Sequence, residues 1–144
     1  MSLPRPKPDY QVIDGVRRCV FITPESLQEA LDFAGKKGDL IQAAYPKCGT
    51  HWVQYIIQLI IRRGEPLQSY EEFLNNAAFV EYLPGPSKYK ASNPVRTFIM
   101  HLPLRRESMN PEAKYVYVAR NPWDCCVSLY HHVRDTSAPR SFMA

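Results

Sequence analysis

The sequence has 144 residues, of which 45% are hydrophobic and 22% charged, a balance typical of one globular domain with a core and unlike that of a disordered chain. The net charge of +4 suits an anionic small ligand, and no block of five like charges indicates a polybasic arm for nucleic acid. The longest apolar stretch, Tyr55–Ile61, is far shorter than the ~20 residues of a membrane-spanning helix, and the N-terminus lacks the apolar run of a signal peptide. We therefore expect a cytoplasmic protein that binds neither nucleic acid nor membrane.

The four cysteines do not form a metal-binding pattern. Cys125 and Cys126 are adjacent and no pair has the CxxC spacing, so the sequence argues against a disulfide framework and a zinc site. Reduced thiols of a cytoplasmic protein fit this pattern better, and no metal is expected. Cys48 is the candidate for a reactive thiol, because it precedes a predicted helix N-terminus.

The first predicted elements are short. Residues 1–15 are expected to form an extended, proline-rich arm, and Val16–Phe21 is a candidate for a short edge strand. Thr23 then caps a helix that has Pro24 at its first position and ends before a glycine. Because the third helical position holds Ser26 instead of Glu or Gln, a full capping box is not expected.

A strand, a tight turn and a helix are predicted next, in direct succession. Leu40–Tyr45 is short and mostly apolar, as a buried parallel strand would be. The segment Tyr45–Trp52 contains proline and glycine, and apolar residues then recur at helical spacing up to Gly64. Lys47 lies in this turn, where the unpaired N–H groups and the dipole of the helix favour an anion. The stretch is therefore a predicted anion-binding turn.

A long connection follows between residues 64 and 94. It is rich in Tyr, Asn, Pro, Gly and Ser, and a short helix is expected at Tyr70–Ala78. Long ordered loops of compact domains often face a substrate, so three aromatic residues of this segment are candidates to line a pocket: Phe79, Tyr82 and Tyr89. The same rings could instead pack the loop onto the core, and the sequence leaves both interpretations open.

Two more strands and a helix complete the predicted fold. Thr97–His101 and Tyr115–Ala119 are short and rich in β-forming residues, and Asn121 can cap a helix that begins at Pro122. Strands that alternate with helices predict an α/β fold, with a parallel sheet flanked by helices and ligands at the carboxyl ends of the strands. Three charged or titratable residues follow such ends: Lys47, His101 and Arg120.

The predicted turn has the chemistry of a phosphate-binding loop. Lys47 and the backbone N–H groups of the three residues Gly49, Thr50 and His51 can hold a phosphate-like group. The lysine precedes the only glycine of the loop, which disfavours a Walker A loop and with it a nucleotide or metabolite kinase. An ordinary turn with a solvated lysine is the alternative.

Two further positions are candidates for the same edge of the sheet. Arg120 and Ser128 could share a second anion, although an arginine after a strand is often only solvated. Imidazole groups can gain or lose a proton near neutral pH, so His101 could act as a general base, or it could be a structural histidine. Together the candidates indicate a ligand with two separated anionic groups.

Three segments resemble those of the cytosolic-type sulfotransferases. Tyr45-Pro46-Lys47-Cys48-Gly49-Thr50-His51-Trp52 is similar to the family's Tyr-Pro-Lys-Ser-Gly-Thr-Thr-Trp loop, and His101-Leu102-Pro103 is similar to its Lys-x-His-Leu-Pro segment. Tyr115-Val116-Tyr117-Val118-Ala119-Arg120-Asn121-Pro122, followed by Ser128-Leu129-Tyr130-His131, is similar to the segment that holds the 3′-phosphate of the family's donor. The order and the spacing of the segments agree as well.

The resemblance implies a P-loop-like sulfotransferase fold and transfer of a sulfuryl group from 3′-phosphoadenosine 5′-phosphosulfate (PAPS) to a hydroxyl or amine of a small, aromatic or sterol-like acceptor. By resemblance, His101 deprotonates the acceptor, Lys47 stabilises the bridging oxygen, and no metal takes part. The implied donor-binding residues are Lys47, Cys48, Gly49, Thr50, His51, Trp52, Arg120 and Ser128, and the acceptor-binding residues are Phe79, Tyr82 and His101. A homodimer of the full-length protein is left open.

The sequence also departs from the family pattern. Cys48 replaces the usual serine, His51 replaces the second threonine, and Ile99 stands where many members have a lysine. The sequence stops before the family's later Arg-Lys-Gly segment, so we expect residues 16–144 to be the N-terminal portion of a sulfotransferase domain that is incomplete at its C-terminus. The alternative to an active enzyme is a truncated, non-catalytic protein that binds the 3′-phosphoadenosine group or regulates another protein.

Overall fold

The structure, a computed structural model, describes residues 10–82, 86 and 89–135. The helices are α1 (Pro24–Leu31), α2 (Thr50–Ile61), α3 (Tyr70–Asn75) and α4 (Pro122–Asp135). The strands are β1 (Gln11–Ile13), β2 (Val16–Arg18), β3 (Leu40–Ala44), β4 (Ala78–Phe79), β5 (Thr97–Met100) and β6 (Lys114–Val118), and a 3-10 turn covers Arg106–Ser108. The order β4-β5-β3-β6 forms one sheet with parallel pairs throughout, so the predicted α/β fold is confirmed.

Strand β3 lies in the middle of this sheet and has a partner on each side. Four of its five residues are buried, as its short apolar sequence predicts. Ala43 is level with Met100 of β5, and Ala44 is level with Val118 of β6. The carboxyl ends of the three strands therefore meet at the same edge of the sheet.

One face of the sheet packs against α1. Leu27 and Ala30 of α1 are almost fully buried in one apolar cluster with three side chains of the sheet: Ile41, Phe98 and Met100. The ring of Phe33, just after the helix, lies 4.8 Å from the ring of Phe98. Burial of these apolar side chains is the main favourable term that holds the helix on the sheet.

The opposite face meets α2 through polar side chains, which the apolar periodicity did not predict. Gln54 is completely buried and its Nε2 donates to Thr97 Oγ1 of β5 at 2.9 Å. Gln58 is also buried, and its Nε2 donates to a backbone carbonyl of α3 at 3.0 Å. Ile57 is buried as expected, whereas Ile60 is 71% exposed. The predicted helix is confirmed. Its buried face, however, contains Gln54 and Gln58 and only part of the expected apolar stripe.

The N-terminal segment differs from the expected loose arm. Strands β1 and β2 pair antiparallel in a hairpin, so residues 11–13 are extended but are paired with residues 16–18. The strand predicted at Val16–Phe21 is limited to β2, which belongs to this hairpin and not to the edge of the main sheet. Residues 1–9 of the predicted arm lie outside the described residues, and the division at residue 15 stays a prediction.

Helix α1 begins with the reciprocal cap that the sequence analysis did not expect. Ser26 N–H donates to Thr23 Oγ1 at 3.1 Å, and Thr23 N–H donates to Ser26 Oγ at 3.0 Å. The serine hydroxyl thus replaces the carboxylate or amide of the usual capping box, which corrects the prediction. The helix ends at Leu31, earlier than the glycine at which the sequence placed its end.

The remaining elements follow the prediction with small shifts. Helix α3 ends at Asn75, Asn76 is its C-cap, and β4 begins at Ala78, whereas β5 and β6 each end one residue early. Asn121 Oδ1 accepts the N–H of Trp123 at 3.0 Å, as predicted for the cap of α4. Within the described ranges, no helix has the length and hydropathy needed to cross a bilayer.

An ion pair joins the amino ends of β3 and β5. Asp39 is 3% exposed, and its two carboxylate oxygens accept Arg96 Nε at 2.8 Å and Arg96 Nη2 at 2.6 Å. The N–H of Lys36 donates to the same carboxylate at 2.7 Å. The guanidinium thus binds the carboxylate in bidentate geometry, which compensates a buried carboxylate well for its loss of water.

Replacing Arg96 by Gln should therefore destabilise the fold. The change leaves the Asp39 carboxylate buried without its cation, a loss of about 3 kcal/mol in the free energy of unfolding. Urea unfolding measures it. Lys37→Gln is the control, because the pair of Lys37 with Glu112 is exposed and should contribute nothing measurable. Equal effects of the two variants would contradict the role given to the buried pair.

Candidate active site

The loop between β3 and α2, residues 45–49, has a tightly constrained backbone. Lys47 has φ = 69° and Gly49 has φ = 99°, so both residues lie in the left-handed region. Glycine adopts that conformation at little cost, but a lysine does not. The N–H of Cys48 donates to the carbonyl of Tyr45 at 3.1 Å and closes the turn. Backbone strain of this kind is typical of loops that hold a ligand.

The first turn of α2 leaves hydrogen-bonding groups unused. Gly49 is the N-cap of the helix and provides no side chain to cap it. Thr50 Oγ1 is buried and has no hydrogen-bond partner among the described residues. Gln42 Nε2, from β3 beneath, donates to the carbonyl of Thr50 at 2.9 Å and holds this turn in place. Free N–H groups, an unpaired hydroxyl and the helix dipole together fit an anion.

A cavity of about 660 Å³ opens at the carboxyl edge of the sheet, next to this turn. Of the donor- and acceptor-binding residues that the resemblance implies, all except Cys48 line it: Lys47, Gly49, Thr50, His51, Trp52, Phe79, Tyr82, His101, Arg120 and Ser128. None of the described residues that line the cavity is acidic. The structure thus brings together the predicted residues of β3, β5, β6 and the long connection in one mostly apolar space with two permanent cations.

Cys48 is the predicted site residue that lies elsewhere. It is not among the residues that line the cavity, and its Sγ lies 3.4 Å from Sγ of Cys125 in α4. The side chain is therefore directed toward α4. Its backbone N–H is already bonded to the carbonyl of Tyr45, so the N–H groups left for an anion are those at the start of α2.

His101 follows β5 directly and is fixed by a contact to β3. Its Nδ1 lies 2.7 Å from the carbonyl oxygen of Ala44. Because a carbonyl can only accept, Nδ1 carries the proton, and in the neutral ring Nε2 keeps its lone pair. The arrangement gives His101 the tautomer that a general base needs.

Arg120 lies where β6 ends and contacts the loop directly. Its Nη1 donates to the carbonyl of Lys47 at 3.1 Å, and its Nε lies 3.9 Å from a carboxylate oxygen of Asp124. Ser128 is one helical turn beyond Asp124 and lines the same cavity. The pair predicted to hold a second anion is therefore next to the first anion-binding turn.

Comparison with known proteins identifies the family of the chain. The family model for the sulfotransferase domain matches residues 37–142. This chain belongs to the sulfotransferase family. It is 35% identical to the 3-alpha-hydroxysteroid sulfotransferase of Cavia porcellus over 124 residues, which cover 81% of this chain and 43% of that protein. It is 32% identical to sulfotransferase 1C2 of Rattus norvegicus over 121 residues, which cover 78% of this chain and 41% of that protein.

The fold of this chain also matches a solved structure. The crystal structure of mouse sulfotransferase SULT7A1 complexed with PAP superposes with a TM-score of 0.60 and 24% sequence identity, over 89% of this chain and 45% of the mouse chain. The chain spans less than half the length of the relatives that it matches. The predicted family and its fold are confirmed.

The aromatic residues of the long connection divide between the cavity and the core. The ring of Phe79 lies 5.5 Å from the rings of both Tyr82 and His101, and Phe79 and Tyr82 line the cavity. Tyr89 instead packs its ring against Phe98 of the core at 5.4 Å, and its hydroxyl donates to the carbonyl of Asn75. Both interpretations hold, each for a different part of the segment.

His51 lies on the aromatic side as well. Its ring is edge-on to the rings of Phe73, at 5.4 Å, and Phe79, at 6.0 Å. Desolvation lowers the pKa of His51, and electrostatic interactions with His101 and Lys47 lower it further. His51 therefore presents a neutral imidazole to aromatic rings at the position where the family pattern has a threonine hydroxyl.

The sequence analysis missed Glu81, which holds the backbone of the predicted base. Its Oε1 accepts the N–H of His101 and also the N–H of Leu102, the latter at 2.8 Å. Glu81 is 2% exposed, and burial raises the pKa of its carboxyl, although these N–H donors and His101 act against the shift. A single acidic residue in the otherwise uncharged stretch Phe79-Val80-Glu81-Tyr82 was the available signal. Among the described residues, no group of three His, Cys, Asp or Glu is placed to hold a metal.

Glu81 should make the stability of the fold depend on pH. Its pKa is raised in the folded state, so its contribution is complete below the ordinary value of 4.5 and is lost as the pH rises through the raised value. Glu81→Gln keeps an acceptor oxygen and cannot ionise. The unfolding free energy of the native protein should therefore fall relative to this variant above pH 4.5, by on the order of 1 kcal/mol per pH unit within that window.

Urea unfolding at a series of pH values measures this difference. Glu71→Gln is a suitable control, because Glu71 is exposed in α3 and should not alter the pH profile. Parallel profiles for the native protein and Glu81→Gln would show that folding does not change the pKa of Glu81, against the direction assigned here.

Proposed function

We propose that this chain carries the donor loop and the catalytic base of a PAPS-dependent sulfotransferase. The observation that supports this most is the single cavity shared by the anion-binding turn of Lys47 and by His101, whose tautomer is set by the carbonyl of Ala44. The proposal takes residues 16–144 as the N-terminal portion of the sulfotransferase domain. The mouse relative whose fold this chain shares was solved as a complex with PAP, which supports the same class of donor here.

The donor would be held at two places on the carboxyl edge of the sheet. The N–H groups at the start of α2, the unpaired Thr50 hydroxyl and Lys47 suit the 5′-phosphosulfate group. Arg120 and Ser128 suit the 3′-phosphate, because both line the cavity beyond the loop. Trp52 is 74% exposed and lines the cavity, so its ring is available to stack on the adenine.

When bound, PAPS would supply the sulfuryl group and a good leaving group. His101 Nε2 would accept the proton of the acceptor hydroxyl or amine as that group attacks the sulfur in line with the breaking bond. Lys47 would stabilise the negative charge that develops on the bridging oxygen. None of these steps requires a metal ion.

The acceptor would lie against the aromatic side of the cavity. Phe79 and Tyr82 supply flat apolar surface next to His101, which suits a phenol or a sterol. The relatives named for 3-alpha- and 3-beta-hydroxysteroids support a hydroxyl on a rigid ring system as the acceptor. The four free cysteines agree with a reducing compartment, so we place the protein in the cytoplasm. A homodimer of the full-length protein stays a prediction.

Loss of the loop lysine should weaken donor binding. Lys47→Ala removes one cation from a cavity without acidic lining residues, so the Kd for adenosine 3′,5′-bisphosphate should rise about 10- to 100-fold. Isothermal titration calorimetry measures it. Lys114→Ala is the control, because Lys114 is exposed at the amino end of β6, away from the cavity, and should leave the Kd unchanged. An unchanged Kd in Lys47→Ala would remove Lys47 from the donor site.

Loss of the base should stop transfer and spare donor binding. His101→Ala removes the only group of the proposed mechanism that accepts a proton, so kcat with radiolabelled PAPS and a panel of phenols, hydroxysteroids and amines should fall about 10²- to 10⁴-fold. The Kd for adenosine 3′,5′-bisphosphate should change little. His131→Ala is the matched control, because His131 is exposed on α4 and does not line the cavity.

Two results would overturn parts of this proposal. Turnover of His101→Ala at the native rate would exclude the histidine as the base. Donor binding by the native protein without transfer to any acceptor would favour the non-catalytic alternative, a protein that binds the 3′-phosphoadenosine group.

A further inference from the structure

Two thiols that are far apart in the sequence meet under the anion-binding loop. Cys48 and Cys125 are separated by 77 positions, and their Sγ atoms lie 3.4 Å apart. Cys48 belongs to the loop, whereas Cys125 belongs to the first turn of α4, where its N–H donates to the carbonyl of Asn121. Neither side chain is used in the proposed transfer of the sulfuryl group.

The other two cysteines do not share this arrangement. Cys19 is completely buried in the apolar cluster with α1, and Cys126 is exposed on α4. Adjacent residues of a helix point in different directions, so Cys126 is turned away from the loop that Cys125 contacts. Cys126 is therefore a natural internal control for the chemistry of Cys125.

The two facing thiols differ in access to solvent. Cys48 is partly exposed, and an oxidant can reach it. Cys125 is 3% exposed, and burial together with the contact to Cys48 raises the pKa of its thiol. Cys48 is thus the thiol that meets the oxidant, and Cys125 is the neighbour that can complete a bond.

We propose that Cys48 and Cys125 are a modification site, at which hydrogen peroxide forms a reversible disulfide that ties the anion-binding loop to α4. Peroxide oxidises the Cys48 thiol to a sulfenic acid and releases one water. The Cys125 sulfur then attacks the Cys48 sulfur, the S–O bond breaks, and the hydroxyl leaves as a second water with the thiol proton. A dithiol such as dithiothreitol reverses the bond by exchange and is itself oxidised.

The bond would displace the loop. A disulfide has an S–S length of about 2.05 Å, so the two sulfur atoms must come roughly 1.3 Å closer than they are. Cys48 lies between Lys47 and Gly49, the two residues with left-handed backbone conformations, and Arg120 already holds the carbonyl of Lys47. A pull on Cys48 therefore changes the anion-binding backbone directly. This consequence rests on the proposed function, whereas the bond itself does not.

Peptide mapping of the oxidised protein tests the bond. After limited peroxide treatment, the intact mass should fall by two hydrogen atoms, and a non-reducing digest should contain the Cys48 and Cys125 peptides joined. Cys126→Ser should give the same link, and Cys48→Ser and Cys125→Ala should each abolish it. A link through Cys126 or Cys19, or oxidation of Cys48 to the sulfinic acid with Cys125 still free, would overturn the proposal.

Donor binding tests the coupling to the loop. The oxidised protein should bind adenosine 3′,5′-bisphosphate at least about tenfold more weakly than the reduced protein, and dithiothreitol should restore the affinity. Cys48→Ser should lose this response to peroxide, whatever its own affinity is. Equal affinity of the linked and reduced forms would overturn the coupling. If the reduced protein binds no ligand, the proposed function fails, and the peptide map still decides whether the bond forms.

Discussion

Pairing of β3 on both sides is the constraint on which the site depends. Ala43 is level with Met100 and Ala44 with Val118, so three parallel strands end at one edge of the sheet. The backbone hydrogen bonds of the sheet, and not the contacts of the functional side chains, therefore set where the loop of Lys47 begins. At the other end of β3, the pair of Asp39 with Arg96 joins the same two strands.

The proposed base and the loop are joined by the same strand. His101 Nδ1 donates to the carbonyl of Ala44, the last residue of β3, and the loop starts directly after Ala44. Glu81 holds the backbone N–H groups of His101 and Leu102 from the other side. Any shift of β3 along its axis would move the loop and the partner of the imidazole together. Such a shift would therefore change the positions of the proposed base and of the anion more than it would change the distance between them.

The starts of the helices could be predicted because residues with strong conformational preferences mark them. Thr23 with Pro24, Gly49, and Asn121 with Pro122 mark helix starts that the structure confirms. The alternation of strands and helices then predicted a parallel sheet with its ligand site at the carboxyl ends of the strands. The resemblance to the family supplied the proposed roles of the residues, which composition and spacing alone left open.

The features that were missed depend on partners that are distant in the sequence. The periodicity of α2 pointed to an isoleucine stripe, but Gln54 turns inward because Thr97 of β5 offers it a hydrogen bond. Glu81 is buried because two N–H groups twenty residues later need an acceptor. Cys48 contacts a helix 77 positions away. A local sequence pattern cannot predict such contacts, because the two partners come together only in the folded chain.

Two of the three substitutions in the family pattern, Cys48 and Ile99, have different physical consequences. Cys48 is directed toward α4, so exchange of serine for cysteine changes the contact with the helix more than it changes the backbone that faces the anion. Ile99 is completely buried in β5, and the described cations that line the cavity are Lys47 and Arg120. Since the proposal assigns Arg120 to the 3′-phosphate, the Lys47 amine is the cation left for the bridging oxygen in the proposed reaction. Its charge acts at one point, so the rest of the donor's negative charge falls to the N–H groups of α2.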